Sequence, residues 1–326
     1  MATAEQLKAL VESYSERDDE RFMSVALQVA AHSAKQGHVR LARDLRELVE
    51  KAKSQGHVLD AGRRPVPVAQ PRGDLAGLLS VVYPATRLAH MALSPKIRGL
   101  LERVLLEQRQ QDRLRSHGLP PRRKLLLVGP PGTGKTMTAA ALSGELGWPL
   151  FTVQLDGLIT KFMGETAAKL RLVFDALART RGVYLFDEFD AIGKRRNETN
   201  DVGEIRRVLN SFLQFLEQDE STSIIIAGTN HPELLDPALF RRFDDVIQYD
   251  LPTEEQVIGT LRDKLALFAP AGFDFAAAAH AATGLSHAEI TRACQEALKD
   301  ALLTDREHVE LPKLERAFQD RRETRR

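Results

Sequence analysis

The sequence predicts an α/β protein: a five-stranded parallel sheet flanked on both faces by helices, with a small helical unit before it and another after it. Three observations lead there. Short, continuously apolar segments alternate with stretches of helical periodicity through the middle of the chain. A glycine-rich loop follows the first apolar segment directly. Beyond Pro252 only helical periodicity remains. Continuous rather than alternating apolar strands are those buried on both faces, as in a parallel sheet between two helical layers.

The elements follow in order. In residues 1–53, apolar side chains recur at three-to-four spacing in three sets: Leu7, Leu10, Val11, Tyr14; Phe22, Val25, Ala26, Val29, Ala30; and Val39, Leu41, Leu45, Leu48, Val49. Three short amphipathic helices of this kind can share one small core, read either as an appendage or as a module that recruits a partner. Residues 54–77 break the pattern with Gly56, Gly62, Pro65, Pro67, Pro71, Gly73 and Gly77, and read as a linker. The large α/β domain is assigned to residues 78–252. Its first helix begins at Ser94, a capping residue, with Pro95 at the first helical position and Ile97, Leu100, Leu101, Val104 and Leu105 on one face. The strand candidates are residues 125–128, 150–153, 183–186, 224–227 and 246–249. Residues 253–326 form the final helical domain, whose basic end, from Arg321 on, is expected to be solvated and frayed.

Composition narrows the function. The chain has 326 residues, 43% apolar and 28% charged, the balance of a globular protein rather than a disordered or fibrous one. Lys and Arg number 46 against 45 Asp and Glu, so no overall charge draws the chain to a polyanion, and nucleic acid is an unfavoured partner. The single cysteine, Cys294, fits a reducing compartment. No apolar run is long enough to span a bilayer and the N-terminus lacks the pattern of a secretory signal, so a cytoplasmic location without a membrane is expected.

Chemistry is spelled most clearly in Gly129-Pro130-Pro131-Gly132-Thr133-Gly134-Lys135-Thr136, a G-x-x-x-x-G-K-[ST] phosphate loop between a strand and a helix. Glycines let backbone N–H groups approach phosphate oxygens, and the following helix directs its positive end at the anion. Lys135 is placed for the β- and γ-phosphates and the Thr136 hydroxyl for Mg²⁺, so the cofactors expected are ATP and Mg²⁺. A second apolar strand ends in Asp187-Glu188. Asp187 suits the metal, through water, and Glu188 suits a general base for the attacking water; alternatively one or both cap a helix starting at Phe189. A third strand ends in Gly228-Thr229-Asn230, where the Asn230 amide can orient that water or sense the γ-phosphate.

Together these segments resemble the AAA+ ATPases, specifically the AAA clade that includes katanin, spastin and the bacterial AAA proteases, over about residues 75–325. Residues 129–136 are similar to Walker A, Asp187-Glu188 to Walker B and Asn230 to sensor 1. The resemblance implies a five-stranded parallel sheet followed by a small helical lid. Leu235-Asp236-Pro237-Ala238-Leu239-Phe240-Arg241-Arg242-Phe243 resembles the arginine-finger segment, which implies that Arg241 and Arg242 reach a neighbouring subunit's nucleotide in a homo-oligomeric, usually hexameric ring. The other reading of these arginines is a surface ion pair with Asp244 or Asp245. Lys161-Phe162-Met163-Gly164 resembles the first pore loop, which grips a polypeptide in the central channel; otherwise the pair is core packing. A second channel-facing loop is expected within residues 194–202. Gly284-Leu285-Ser286-His287-Ala288-Glu289-Ile290 resembles the second sensor region without its arginine, leaving Ala288 and the backbone to pack near the nucleotide. Basic residues that usually follow the finger segment are replaced here by Asp244 and Asp245. No His-Glu-x-x-His is present, which excludes a built-in zinc protease of that type.

The function implied is an ATP-hydrolysing motor that remodels a protein substrate selected by the N-terminal helices. Two alternatives stand beside it: a nucleotide-gated chaperone or regulator of a separate partner such as a protease, and, with little support, a nucleic-acid motor.

Overall fold

The computed structural model describes residues 29, 43, 71, 73–158, 165–190, 202–266, 268–304, 306 and 308–324. The chain divides into two compact units, Met1–Pro67 and Val68–Arg326. The helices expected in residues 1–53 (apart from residues 29 and 43), most of the expected linker, the loop at 161–164 and all but Val202 of the second loop expected within 194–202 lie outside the described residues.

The second unit is built on a six-stranded sheet. Its strands are β1 (Leu79–Val82), β2 (Lys124–Val128), β3 (Leu150–Val153), β4 (Val183–Phe186), β5 (Ile224–Thr229) and β6 (Asp245–Gln248), in spatial order β1-β3-β4-β5-β2-β6. The five strands β2 to β6 are parallel, as the apolar runs imply. The sixth, β1, pairs antiparallel with β3 at the edge, Leu79 opposite Val153 and Val82 opposite Leu150. Sequence reading missed it because only Leu79 of its four residues is buried. Just ahead of it, Gly73–Gly77 closes a 3-10 turn within what reads as linker.

The parallel strands are apolar throughout because successive side chains enter different cores. Leu125 and Leu127 of β2 point to one face, where α1 (Pro95–Arg109) and α3 (Lys135–Leu146) supply Leu101, Val104, Leu105, Ala139 and Leu142. Leu126 and Val128 point to the other, where α5 (Glu165–Arg179) and α6 (Val202–Gln218) supply Leu170, Val173, Phe174, Phe212 and Leu216. An aromatic cluster anchors that second face. Phe212 lies 5.1 Å from Phe186 of β4 and 4.6 Å from Phe189 in the turn that follows, at ring geometries favourable for aromatic pairs. Ser94 caps α1 as its sequence predicts, accepting a hydrogen bond from the Ile97 N–H at 3.3 Å; the short helices α2 (Gln111–Ser116) and α4 (Leu155–Leu158) follow α1 and β3.

Beyond Pro252 the chain forms a helical unit with its own core, from α8 (Glu254–Leu265), α9 (Phe275–Ala281), α10 (His287–Leu303) and α11 (Leu311–Glu323). Its basic end is not frayed at the start. Arg321 pairs with Glu296, and Arg322 donates to the carbonyls of Ala281 and Thr283, so both arginines fasten α11 to its neighbours.

Candidate active site

In a parallel sheet the loops at the carboxyl ends of the strands gather on one side, and a cleft opens where the strand order reverses. Here β2 lies between β5 and β6, while the chain leaving it crosses to β3 on the far side of β4 and β5. The register brings Val128 beside Thr229 and Phe186 beside Ala227. The phosphate loop, the Asp187-Glu188 turn and Asn230 therefore emerge side by side.

Residues 129–134 pass from β2 into α3, and Gly134 takes φ 106° just before that helix. A Cβ on Gly129 would stand 2.2 Å from the Tyr249 carbonyl oxygen, so only glycine lets the loop lie against the end of β6. Beneath it the Thr138 and Tyr249 hydroxyls share a buried hydrogen bond of 2.6 Å. Burial pushes the Tyr249 hydroxyl up to about 12, with the Thr138 bond acting the other way. Lys135 is buried, and its Nζ donates to the carbonyls of Gly129 at 2.7 Å and Pro130 at 2.8 Å. Burial lowers its pKa from the ordinary lysine value, while the charges of Asp187 and Asp190 oppose the shift. Thr133 donates its hydroxyl to the Pro130 carbonyl, which stiffens the loop further.

The Thr136 hydroxyl donates to Asp187 Oδ2 at 2.6 Å. This bond joins the two motifs that are 51 residues apart in sequence. Two hard oxygen donors so placed fit a small divalent cation such as Mg²⁺, which prefers oxygen ligands and keeps several waters. Among the described residues there is no cluster of three or more His, Cys, Asp or Glu side chains that would instead form an all-protein metal cage. Gly228 leaves room for this carboxylate: a Cβ there would stand 3.0 Å from Asp187 Oδ1.

Glu188 is exposed and takes φ 50°, the one positive φ at a non-glycine position among the described residues. Its N–H donates to Asp187 Oδ1 at 3.0 Å, and the next residue, Phe189, donates its N–H to the Gly228 carbonyl at 2.8 Å. The Asn230 N–H donates to Asp190 Oδ1 at 3.2 Å. Asp190 was not singled out by sequence reading. The signal available was a third carboxylate in Asp187-Glu188-Phe189-Asp190, three residues after the first.

The helical unit beyond Pro252 reaches the same loop. The Ala288 N–H donates to the Gly132 carbonyl at 3.1 Å, and a Cβ on Gly132 would stand 2.5 Å from Ser286 Oγ. Ser286 caps α10 in a reciprocal box with Glu289, which fixes the helix start against the loop. His287 is half-buried rather than a surface residue, with Nδ1 3.4 Å from the Thr260 hydroxyl, and burial lowers its pKa.

The arginine pair stands at the end of the short helix α7 (Pro237–Phe240), capped by Asp236. Arg241 is exposed. Arg242 forms an ion pair with Glu217 of α6 and donates to the Ala238 carbonyl. Neither takes Asp244 or Asp245 as partner: Asp244 accepts from the N–H groups of Arg123 and Lys124, and Asp245 pairs with Arg122 at 3.0 Å.

The profile of the ATPase family associated with various cellular activities matches residues 125–251, the span from β2 to the end of the sheet. The AAA family ATPase y4kL of Sinorhizobium fredii is 36% identical over 321 residues, covering 98% of this chain and 96% of that one. The chain belongs to the AAA family of ATPases. As an AAA ATPase it binds and hydrolyses ATP. It is also 32% identical over 255 residues to the ATP-dependent zinc metalloprotease FtsH 3 of Sphaerobacter thermophilus, covering 76% of this chain and 52% of that protein. The crystal structure of the FIGL-1 AAA domain superimposes with a TM-score of 0.61 at 21% identity, over 79% of this chain and 91% of that one, a likeness of fold. Among the described residues no helix of this AAA ATPase is long and apolar enough to cross a membrane.

Proposed function

We propose that this AAA ATPase works as a hexameric ring that couples ATP hydrolysis to remodelling a protein substrate drawn into its central channel. The observation that carries the reading is the Thr136–Asp187 hydrogen bond at 2.6 Å, which unites the phosphate loop with the acidic strand end. The lid contact from Ala288 to Gly132 supports it, because it gives the helical domain a direct grip on the loop.

In this reading residues 129–136 cradle the phosphates, Lys135 holds the β- and γ-phosphates, and Thr136 and Asp187 hold Mg²⁺, with water between Asp187 and the ion. Magnesium neutralises phosphate charge when bound. Glu188 accepts the proton of the attacking water, and the Asn230 amide orients that water. Ala288 packs against the nucleotide from the lid. Arg241 and Arg242 act on the neighbouring subunit's nucleotide. Residues 161–164 grip the polypeptide, and residues 1–53 select it, joined through a linker at 54–77 to the large domain at 78–252 and the lid at 253–326. The partial match to an ATP-dependent protease supports a protein rather than a nucleic acid as substrate.

The test combines trapping with stimulation. Glu188→Gln is expected to bind ATP while hydrolysing it ~10²–10⁴-fold more slowly, the usual loss when a positioned base is removed. A tagged Glu188→Gln protein, held with ATP in its native cell, should retain its polypeptide partner. Unfolded protein should stimulate wild-type hydrolysis where DNA does not. Stimulation by DNA alone favours the nucleic-acid motor. A partner that is activated but never unfolded favours the nucleotide-gated regulator. For threading, Phe162→Ala should lose far more substrate unfolding than ATP hydrolysis.

A further inference from the structure

We propose that Asp190 is a positioning residue for ATP hydrolysis: its buried carboxylate locks the turn that carries Glu188 to the strand end that carries Asn230. This rests on the reading of Glu188 and Asn230 given above.

Asp190 is 1% exposed. A carboxylate so enclosed is stable only where donors meet it, and the end of β5 brings it two. Its Oδ1 accepts from the Thr229 hydroxyl and from the Asn230 N–H, each at 3.2 Å. The direction of the first bond is fixed by a third group. The His231 N–H donates to Thr229 Oγ1 at 3.0 Å, which leaves the hydroxyl proton for Asp190. One residue earlier, the Phe189 N–H donates to the Gly228 carbonyl at 2.8 Å. Three consecutive residues of β5 and its exit thus grip the two residues that follow Glu188.

That grip has a purpose beyond holding the fold. Phe189 is already seated by its ring against Phe212, so apolar packing places the turn without help from Asp190. What packing leaves soft is direction, and Glu188 sits at φ 50°, a conformation a non-glycine residue keeps only when its surroundings over-determine it. The Asp190 bonds supply that constraint and tie it to the backbone of Asn230. Base and water-orienting amide then move as one piece.

The test measures kcat, KM for ATP, nucleotide affinity and melting temperature of the full chain for Asp190→Ala, Asp190→Asn and Thr229→Val beside Glu188→Gln. Asp190→Ala should lose about 10²-fold in kcat, the cost of misplacing a reacting group by roughly 1 Å, with ATP affinity retained. Asp190→Asn keeps an Oδ1 acceptor and should recover most of that loss. Thr229→Val removes the hydroxyl donor and should lose less than Asp190→Ala, again in kcat rather than KM. If Asp190→Ala does not fold, the other two variants decide. An Asp190→Asn protein as slow as Glu188→Gln would overturn the proposal, since the carboxylate would then act as an acid or base itself. So would full kcat in Thr229→Val, or parallel losses of affinity and melting temperature that account for the rate. Wild-type turnover in Glu188→Gln would instead sink the reading of the base and leave the role of Asp190 without its object.

Discussion

Gly132 shows how one missing side chain decides an approach between distant segments. At φ 76° it adopts a conformation that an L residue resists, and its absent Cβ is what lets Ser286 and Ala288 close on the phosphate loop. Gly132→Ala is expected to cost about 1–3 kcal/mol in strain and to weaken ATP binding, because the start of α10 must retreat or the loop must deform. Thermal melting with and without ATP checks both effects. Cys294 illustrates the opposite case, a reactive residue type made inert. It is buried in the core of the C-terminal helical unit, and burial pushes its thiol up to about 12. The thiolate is the reactive form, so the folded protein should resist alkylation at pH 8 and react only on unfolding. Rapid modification of the native chain would show that this helical unit opens locally.

At the scale of elements, α10 is where stability and the site meet. Its first residue, His287, has a folded-state pKa lowered from 6.5 by burial. The fold therefore favours the neutral ring. The stabilisation is complete above the unfolded value of 6.5 and is lost as the pH falls below it toward the folded value. The melting temperature should decline from pH 7 to 5, and His287→Gln should flatten that part of the profile. An unchanged slope would place the titrating group elsewhere. Another element boundary depends on Gly144 of α3. A Cβ there would meet the Thr86 carbonyl at 2.1 Å, and Arg87 donates to the Gly144 carbonyl, so the segment after β1 lies directly on the helix. The β1 strand itself left little trace in the sequence. Its run from Leu79 through Tyr83, bounded by Gly77 and Pro84, is short, and Val82 and Tyr83 are exposed. Edge strands bury little, so hydrophobic patterning marks them weakly.

The whole molecule raises the question of assembly. Arg242 is held by Glu217 of its own chain, while Arg241 projects into solvent. If both serve a neighbour, mixing Arg242→Ala subunits with Lys135→Ala subunits should restore activity at interfaces that pair an intact phosphate loop with an intact arginine. An arginine finger contributes ~10³–10⁵ in rate in related phosphoryl transfer, so even partial rescue stands well above background. Absence of rescue at every ratio, with co-assembly demonstrated, would argue for action in cis.

Local spelling made the centre of this protein legible. The phosphate loop, Asp187-Glu188, Asn230, the capped start of α1 and the parallel strands are written in contiguous residues, because each needs a specific backbone or a specific run of apolar side chains within a few positions. Tertiary structure decided the rest. It set Arg242 against Glu217 rather than Asp244 or Asp245, placed Ala288 on Gly132, docked Arg321 and Arg322, and brought Asp190 to Thr229 across 39 positions of sequence. Those pairings have no periodicity to announce them. They exist because strand register and helix packing bring remote residues together, and a buried charge or an exposed arginine takes whichever partner that geometry supplies.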